Sequence, residues 1–350
     1  MKARVSVVMA VYNGERYVEQ SLKSILDPWR EDMEVVVIDD GSTDRTPETL
    51  DRLFRGDRRL TVIRQARSGL ATSLNRAIGA TVGEYIARQD ADDLSLPGRF
   101  ERQLRYLDRH PEVAAVGTGS HVIDEDDRVI GALGIRTRAK DVKRALQNLR
   151  ATPVHGSAML RRRALDAVGG YREGFRYAQD LDLWLRMVER FSVENVPEPL
   201  YQWRLNPQGV YATQRAIQLK YCGIALCFAR ERSVYGSDSY DQLRASGEAL
   251  DIFAAGYRMR ELLYAKWGEL LFRGLRNPDV ARPYLRRALR YGYVHPKTVA
   301  LFGWSLLGFP WPGGVPLRAP SARGPRDPGS STEVGDAGLA RVVHGAEKAA

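Results

Sequence analysis

Residues 83–93 read Gly-Glu-Tyr-Ile-Ala-Arg-Gln-Asp-Ala-Asp-Asp, a short apolar run that ends in three carboxylates. The length and apolar character of Glu84–Gln89 predict a buried strand. An earlier run, Glu34–Asp39, ends in a similar way and continues as Asp40-Gly-Ser-Thr-Asp44. Because open α/β sheets gather their binding loops at the carboxyl ends of the strands, both acidic ends are predicted to lie on one rim.

Short β-rich runs alternate with helical patterns through the first hundred residues, which is the spacing of βαβ units on a parallel sheet. The predicted strands are Val5–Val11, Glu34–Asp39, Leu60–Arg64 and Glu84–Gln89, and the predicted helices are Glu15–Leu26, one with Pro47 in its first turn, and Ser68–Thr81. Further on, the pattern predicts a helix from Pro97 to His110, strands Val113–Val122 and His155–Leu160, and a helix Asp180–Phe191. The predicted fold class is therefore α/β.

Composition divides the chain into three predicted parts. With 350 residues, 44% hydrophobic and 27% charged, the chain has the composition of a globular protein larger than one average domain. We expect an α/β domain over 1–210, a helical region over 211–309, and a disordered tail over 310–350, which is rich in Pro, Gly, Ser and charge. The apolar runs fall short of the ~20 residues that a spanning helix needs, so a cytoplasmic protein is expected.

The basic charge is concentrated late in the chain. The net charge is +10, and Asp251 to Trp311 holds ten Lys or Arg against four Asp or Glu. A solvated helical face is the simplest interpretation. Docking on an anionic membrane surface, at the inner face of the cell membrane and near a lipid-linked acceptor, remains the alternative. A nucleic-acid module using Arg286, Arg287 and Arg290 is not expected.

The carboxylates of the predicted rim have the chemistry of a metal site. Asp90, Asp92 and Asp93 offer several oxygen ligands close together, as Mg²⁺ or Mn²⁺ requires, and a cation there would bridge a diphosphate. Taken alone, the cluster could also be a solvated turn that caps the next helix. Asp39 and Asp40 are harder to explain by capping, since two like charges at the end of an apolar run repel unless a donor or cation meets them.

Four motifs in this order resemble the family 2 glycosyltransferases with a GT-A fold. They are Val5-Ser-Val-Val-Met-Ala-Val-Tyr-Asn-Gly14, Val36-Val-Ile-Asp-Asp-Gly-Ser-Thr-Asp44, Gly83-Glu-Tyr-Ile86 with Asp90-Ala-Asp-Asp93, and Gln179-Asp-Leu-Asp-Leu-Trp184. Each is weak alone, but the four together, over roughly residues 3–205, are specific. The resemblance implies a Rossmann-like, mostly parallel central sheet with flanking helices, to which this chain adds a helical C-terminal extension.

By this resemblance the rim binds a nucleotide-diphospho-sugar, most simply a UDP-sugar. Tyr12 would lie against the base, and Asp40 would accept a hydrogen bond from the edge of the base. Asp90 and Asp92 match the family's Asp-x-Asp motif, with Asp92 as the direct metal ligand, and Asp93 would touch the ribose, the diphosphate or the metal. The other predicted donor-site residues are Ala10, Asp39, Arg67, Asn75, Arg88 and Arg204. For Arg67, Asn75 and Arg88 a purely structural role is the alternative.

Asp180 matches the family's general base. It would take the proton from an acceptor hydroxyl as that oxygen attacks the anomeric carbon, which implies inversion. Gln179 stands where the family commonly has Glu. His155 and Trp184 are predicted to lie near the acceptor, a glycan or a lipid-linked sugar, although a structural histidine and a core tryptophan are the alternatives.

Other departures and competing classes bear on the same prediction. Asn206 stands where the family tends to have His, and the Gln-x-x-Arg-Trp motif of processive synthases is missing, so transfer of one sugar per encounter is expected. No Gly-x-Gly-x-x-Gly follows the first strand, which argues against a dinucleotide-dependent oxidoreductase. The predicted function is an inverting, metal-dependent glycosyltransferase of polysaccharide, glycolipid or glycoprotein glycan synthesis. The alternative is an inactive nucleotide-binding homologue that acts as a scaffold.

Overall fold

The computed structural model describes residues 3–27, 31–149, 153–206 and 214–245, and positions 250, 282, 285, 286 and 306. Within these residues, nine strands form one sheet in the order β3-β2-β1-β4-β8-β6-β9-β5, with β7 paired to β6. The strands are β1 Val5–Val11, β2 Met33–Asp39, β3 Leu60–Arg64, β4 Tyr85–Arg88, β5 Leu94–Ser95, β6 Val113–Ile123, β7 Val129–Leu133, β8 Met159–Arg161 and β9 Ser192–Arg204.

The first four strands form the parallel half of the sheet, as predicted. β1 lies between β2 and β4 and is parallel to both, and β3 extends the same direction beyond β2. The helices of this half are α1 Val18–Leu26, α2 Thr46–Gly56 and α3 Leu70–Gly79. α1 begins three residues later than predicted because the Gly14 carbonyl accepts the N–H groups of Tyr17 and Val18 in a turn that precedes the helix.

The second half of the sheet is mixed. β8 runs antiparallel to both β4 and β6, β9 runs parallel to β6, and β5 runs antiparallel to β9. The flanking helices are α4 Arg99–Arg109, α5 Ala139–Gln147, α6 Arg162–Ala167 and α7 Gln179–Arg190. The strand predicted over His155–Leu160 is wrong in its first part, where His155–Ser157 forms a 3₁₀ turn. The Val154 carbonyl accepts both the N–H and the hydroxyl of Ser157, which closes this turn.

Both faces of β1, β2 and β4 are buried, which explains why these strands are nearly continuous apolar runs. Alternate residues enter two different cores: Val8 and Ile86 face the core that includes α3 and α7, while Val7 and Ala87 face the core that includes α1 and α4. Two covered faces leave the rim at the carboxyl ends of the strands as the place where polar residues can gather.

The described part of the predicted C-terminal region is helical and packs on α7. It consists of α8 Arg215–Tyr235 and α9 Tyr240–Ala245. Phe228 of α8 lies edge-on to Phe175, and the Arg172 guanidinium pairs with Asp238 at 2.8 Å. No helix among the described residues is long and apolar enough to span a membrane. Most of 246–309 and all of 310–350 lie outside the described residues, so the predicted domain division stays a prediction.

Candidate active site

The predicted acidic ends do meet at one edge of the sheet. β1 pairs with β2 up to Val11 and Asp39, and with β4 up to Val8 and Arg88. The Asp40 N–H then donates to the Val11 carbonyl at 2.8 Å, which holds the two loops beside each other. This register places Ala10, Tyr12, Asp39, Asp40, Arg88 and Asp90 on a common rim.

The loops after β1 and β2 are braced by hydrogen bonds between them. The Asn13 N–H donates to the Ser42 hydroxyl at 3.0 Å, and the Thr43 N–H donates to the Asn13 side chain at 2.8 Å. Tyr12 stays 38% exposed, and the Arg67 guanidinium lies 3.8 Å above its ring. Two residues predicted for the donor site, Tyr12 and Arg67, are therefore in contact at the surface.

The two carboxylates after β2 are buried and hydrogen-bonded. Asp39 accepts the Ser42 N–H at 3.0 Å, whereas Asp40 accepts the N–H groups of Ser68 and Gly69 at 2.8 and 2.9 Å and the Gln65 amide at 2.7 Å. Asp40 thus holds the start of α3 in place. A carboxylate has about four acceptor positions, so roughly one remains for the predicted contact with a base.

The acidic cluster after β4 contains two carboxyl groups that are hard to ionise. Burial, followed by the charge of Asp90, raises the pKa of Asp92 to about 6, although a hydrogen bond from Asn206 opposes this shift. Burial and the charges of Asp92 and Asp90 raise the pKa of Asp93 well above its usual range. The Arg204 N–H donates to Asp93 Oδ1 at 2.8 Å, but the buried Oδ2 has no hydrogen-bond partner among the described residues.

These carboxylates fit a divalent cation only if the ligand supplies the other oxygen atoms. No three His, Cys, Asp or Glu side chains in the described ranges are arranged to hold a metal ion by themselves. Mg²⁺ is commonly bound by one or two carboxylates together with substrate phosphates. The crowding of Asp90 and Asp92 and the unpaired Asp93 oxygen suit a cation, because a positive charge would relieve their repulsion.

Arg99, which the sequence analysis did not identify, supports this cluster from behind. Its fully buried guanidinium donates to the carbonyls of Arg88 and Gly156 at 2.7 and 2.8 Å and to the side chains of Gln89 and Ser95 at 2.8 and 2.7 Å. Burial lowers the pKa of Arg99 to about 10. Since these acceptors are neutral, the positive charge of Arg99 is balanced by the acidic cluster at longer range.

Tyr201 of β9 is a second supporting residue that the sequence analysis missed. Its ring is fully buried, with the Arg99 guanidinium 4.9 Å from its centroid, and its hydroxyl accepts the Asp90 N–H at 3.2 Å. The pairing of β9 with β6 and with β5 brings Tyr201 to the rim, and no local pattern in the sequence indicates these pairings.

The buried Arg204 is held by protein acceptors. Its guanidinium donates to the carbonyls of Asp92 and Asp124 at 2.7 and 2.8 Å, pairs with Asp127 at 2.6 Å and lies over Tyr17 at 4.3 Å. The contact that the sequence predicts with a diphosphate would have to compete with these partners. In this conformation Arg204 positions the backbone of the acidic cluster.

Arg88 also contacts acceptors within the protein. It is buried, pairs with Asp90 at 2.6 Å and donates to the Gln89 carbonyl. Asn75 forms two hydrogen bonds with the backbone of Tyr171, one as donor at 2.8 Å and one as acceptor at 3.0 Å. For Arg88 and Asn75 the geometry favours the structural alternative that the sequence left open.

Asp180 lies at the N-terminus of α7, half-buried and facing the acidic cluster. Burial raises the pKa of Asp180, hydrogen bonds from its own N–H and that of Leu181 lower it, and the Asp90 charge raises it again. The positive charge of Arg88 opposes the rise in the pKa of Asp180. Ala178, just before α7, has a positive φ of 53°, a left-handed conformation that strains a residue other than glycine.

His155 and Trp184 have different positions at this end of the cleft. His155 Nε2 lies 2.7 Å from the Tyr171 hydroxyl, and burial together with Arg88 lowers the pKa of His155 to about 3, so its ring is neutral at physiological pH. Trp184 is fully buried in the core, edge-on to His155 at 6.5 Å. This is the core position that the sequence left as the alternative to stacking on an acceptor.

Comparison with known proteins agrees with this geometry. The model of the family "Glycosyl transferase family 2" matches residues 6–169. The chain is 37% identical over 207 residues to a putative glycosyltransferase, EpsE, of Bacillus subtilis (strain 168), covering 57% of this chain and 73% of the relative. It is 30% identical over 206 residues to the O-antigen biosynthesis glycosyltransferase WbnJ of Escherichia coli, covering 58% of this chain and 80% of the relative.

A solved structure of S. aureus TarS 1-349 in complex with UDP-GlcNAc superposes with a TM-score of 0.58 at 14% identity, covering 88% of this chain and 93% of that one. This likeness confirms the predicted GT-A fold. The family match and the identity to EpsE show that the chain belongs to glycosyl transferase family 2.

Proposed function

We propose that this glycosyltransferase moves one sugar, with inversion, from a nucleotide-diphospho-sugar to an acceptor hydroxyl. The observation that carries the proposal is the placement of Asp180 at the start of α7, where the charges of Asp90 and Arg88 both act on it. A candidate base and a candidate diphosphate site thus lie close to each other. One base on one side of the anomeric carbon and a leaving group on the other would give in-line displacement.

The donor would lie along the rim from β1 to β4. Tyr12 would contact the base, with Asp39 and Asp40 beneath it, and Asp92 with Asp90 would hold Mg²⁺ or Mn²⁺. When bound, the cation supplies charge neutralisation for the diphosphate as it leaves. Among the predicted donor-site arginines, Arg67 is the exposed one; its guanidinium lies above Tyr12, where it would contact a phosphate.

The acceptor would lie on the other side, near Asp180. Burial and the Asp90 charge raise the pKa of Asp180, which strengthens it as a base. Gln179 adds no second negative charge beside it. The hydrogen bond between His155 and the Tyr171 hydroxyl fixes a neutral side chain close by, which could orient an acceptor hydroxyl.

The identities of donor and acceptor are proposals from likeness. We propose a UDP-sugar because the TarS structure was solved with UDP-GlcNAc. A glycan or lipid-linked acceptor in polysaccharide, glycolipid or glycoprotein synthesis follows from the O-antigen role in the name of WbnJ. Peripheral association with the inner face of the cell membrane through the basic C-terminal region, and the division into 1–210, 211–309 and 310–350, remain parts of this proposal.

The proposal is tested by nucleotide binding and by two substitutions. A thermal-shift screen of UDP, GDP, dTDP and CMP sugars should show stabilisation by one nucleotide that requires Mn²⁺. With that donor, Asp180→Asn should lower kcat by about 10²–10⁴ while donor binding persists. Asp166→Asn, an exposed carboxylate on α6, is the matched control and should leave kcat unchanged.

Two outcomes would contradict the proposal. Full activity in Asp180→Asn would remove Asp180 as the base. Tight, metal-dependent nucleotide binding without turnover on glycan or lipid-linked acceptors would instead favour an inactive homologue that acts as a scaffold, for which Gln179 and Asn206 are the motivating departures.

A further inference from the structure

Strand β7 is an apolar edge of the described sheet. It reads Val-Ile-Gly-Ala-Leu and pairs with β6 through Ser120–Ile123. Val129 and Ile130 are each 54% exposed, and the pairing with β6 is irregular at Ile130, because Ile123 pairs with Val129 while Val122 pairs with Gly131. Natural edge strands are usually protected from pairing with another chain by a charge, a proline or a bulge, and of these β7 has only the irregularity at Ile130.

Among the described residues, β7 pairs with β6 on one side and with no strand on the other. One face of the strand is also open at its middle residue, since among the described atoms nothing lies within 4 Å of a Cβ placed on Gly131. The unpaired N–H and C=O groups of an edge strand are a template for a further strand. The composition of β7 therefore favours occupation by another apolar strand.

The charges on either side of β7 indicate which strand would pair with it. The turn before it is acidic, with Asp124-Glu-Asp-Asp127, and the segment after it is basic, with Arg136, Arg138 and Lys140 exposed. An antiparallel pair of two identical β7 strands would place the acidic turn of each copy beside the basic segment of the other. A parallel pair would place like charges together.

Two carboxylates of the acidic turn, Glu125 and Asp126, form only surface ion pairs and are available for such contacts, whereas Asp124 and Asp127 are held within the chain. Asp126 pairs with Arg128 at 3.2 Å, but these side chains are 64% and 74% exposed, so the pair is weak. Glu125 pairs with Arg16 at the surface, and Asp127 pairs with the buried Arg204. Anionic lipid would repel the exposed carboxylates of this turn, whereas the basic segment of a second copy of this chain would attract them.

We propose that β7 pairs antiparallel with β7 of a second copy, about a two-fold axis near Gly131, so that the sheet continues through a homodimer. The contact is isologous, so each acidic turn meets the partner's basic segment and this contact occurs twice per dimer. Because Asp127 also holds Arg204, which binds the Asp92 carbonyl, the interface would adjoin the support of the acidic cluster.

The first test is the mass of the full chain in solution. By sedimentation velocity at low salt, the weight-average mass should rise with concentration from 39.3 kDa toward twice that value. Val129→Lys should keep the chain monomeric. Val82→Lys, at a valine that is 55% exposed and lies before β4, is the matched control and should dimerise as the unaltered chain does.

The second test reverses the charges and does not depend on the stability of the β7 variant. Glu125→Lys with Asp126→Lys, and separately Arg136→Glu with Arg138→Glu, should each weaken self-association about tenfold. Mixing the two variants should restore it, because all flanking contacts in the mixed dimer are attractive again. Circular dichroism of each variant confirms that the fold is retained.

Three results would overturn the proposal: a chain that stays monomeric at its solubility limit, equal dimerisation of Val129→Lys and Val82→Lys, or charge-reversed variants that do not associate when mixed. Binding to anionic vesicles that is lost in Val129→Lys without any dimer would assign the strand to a membrane surface instead, which also overturns it.

Discussion

Replacing Asp92 by asparagine is expected to stabilise the protein at neutral pH while removing its response to divalent cations. Burial and the negative charge of Asp90 disfavour the ionised form of Asp92, whose side chain accepts a hydrogen bond from Asn206. Asparagine has nearly the same shape, carries no charge, and can still accept the hydrogen bond from Asn206 through its carbonyl. The substitution therefore removes the electrostatic penalty and leaves the packing in place.

The size of the effect follows from the pKa. Raising the pKa of Asp92 from 3.8 to about 6 costs the ionised, folded state up to about 3 kcal/mol at neutral pH. Part of the side chain still meets water, which screens this penalty, so a gain of about 2 kcal/mol is expected. For a domain of this size that corresponds to a rise of roughly 5 °C in Tm.

The pH dependence has a definite sign. Because the pKa of Asp92 is higher in the folded state, the carboxyl stabilises the fold below about pH 4, and that contribution is lost as the pH rises through about 6. The advantage of Asp92→Asn should accordingly be largest above pH 6 and should vanish near pH 4, where Asp92 is protonated in the unaltered protein.

Urea and thermal unfolding of both proteins across this pH range measure the effect. Asp126→Asn, at a carboxyl that is 64% exposed, is the control and should change stability by less than about 0.5 kcal/mol. Mn²⁺ with the nucleotide should stabilise the unaltered protein and leave Asp92→Asn unaffected. The reasoning fails if Asp92→Asn is no more stable at neutral pH, or if its gain persists at pH 4.

Three further predictions concern residues around the site. Arg99→Met should lower the free energy of unfolding by about 3 kcal/mol or more, because buried acceptors lose their donor. The control Arg102→Met, on the exposed side of α4, should lower it by under about 1 kcal/mol; urea unfolding measures both. Ala178→Gly should raise the free energy of unfolding by about 1 kcal/mol by relieving the positive φ, and Ala145→Gly inside α5 should lower it by about as much or more. As the pH is lowered, kcat/KM should decrease with an apparent pKa above 3.8, because burial raises the pKa of Asp180. If Asp180→Asn shows the same decrease at low pH, Asp180 is not the group that titrates.

The first half of the fold could be predicted because its signals are local. Buried parallel strands such as β1 and β2 are continuous apolar runs, and the helices between them have their own periodicity. β9 gave no such signal, because Ser192–Arg204 contains two prolines and several polar residues. It becomes a strand through its pairing with β6, including irregular register near Gly119, which no local pattern encodes.

The same distinction applies to the candidate site. The positions of Asp40, Asp90, Asp92 and Asp180 at the ends of elements follow from motif and spacing. The support of these residues does not, because Arg99 binds backbone carbonyls of Arg88 and Gly156, and any residue type presents such a carbonyl.

The arrangement of the arginines bears on whether transfer requires a metal. Arg88, Arg99 and Arg204 all have buried guanidinium groups that donate to protein acceptors at the acidic cluster. Arg88 pairs with Asp90, while Arg99 and Arg204 donate to backbone carbonyls beside the carboxylates, so all three already have protein partners. Neutralisation of a departing diphosphate would then depend on a cation held by Asp90 and Asp92, together with the exposed Arg67.

Chelation should therefore abolish sugar transfer, and Mn²⁺ should restore it. Arg67→Ala should raise KM for the donor by about tenfold or less, because one exposed charge contributes little beside a bound divalent cation. Arg109→Ala, at an exposed arginine at the end of α4, is the matched control and should leave KM unchanged. Full activity in the presence of chelator, combined with loss of activity in Arg67→Ala, would reverse this assignment and make the arginine the group that neutralises the diphosphate.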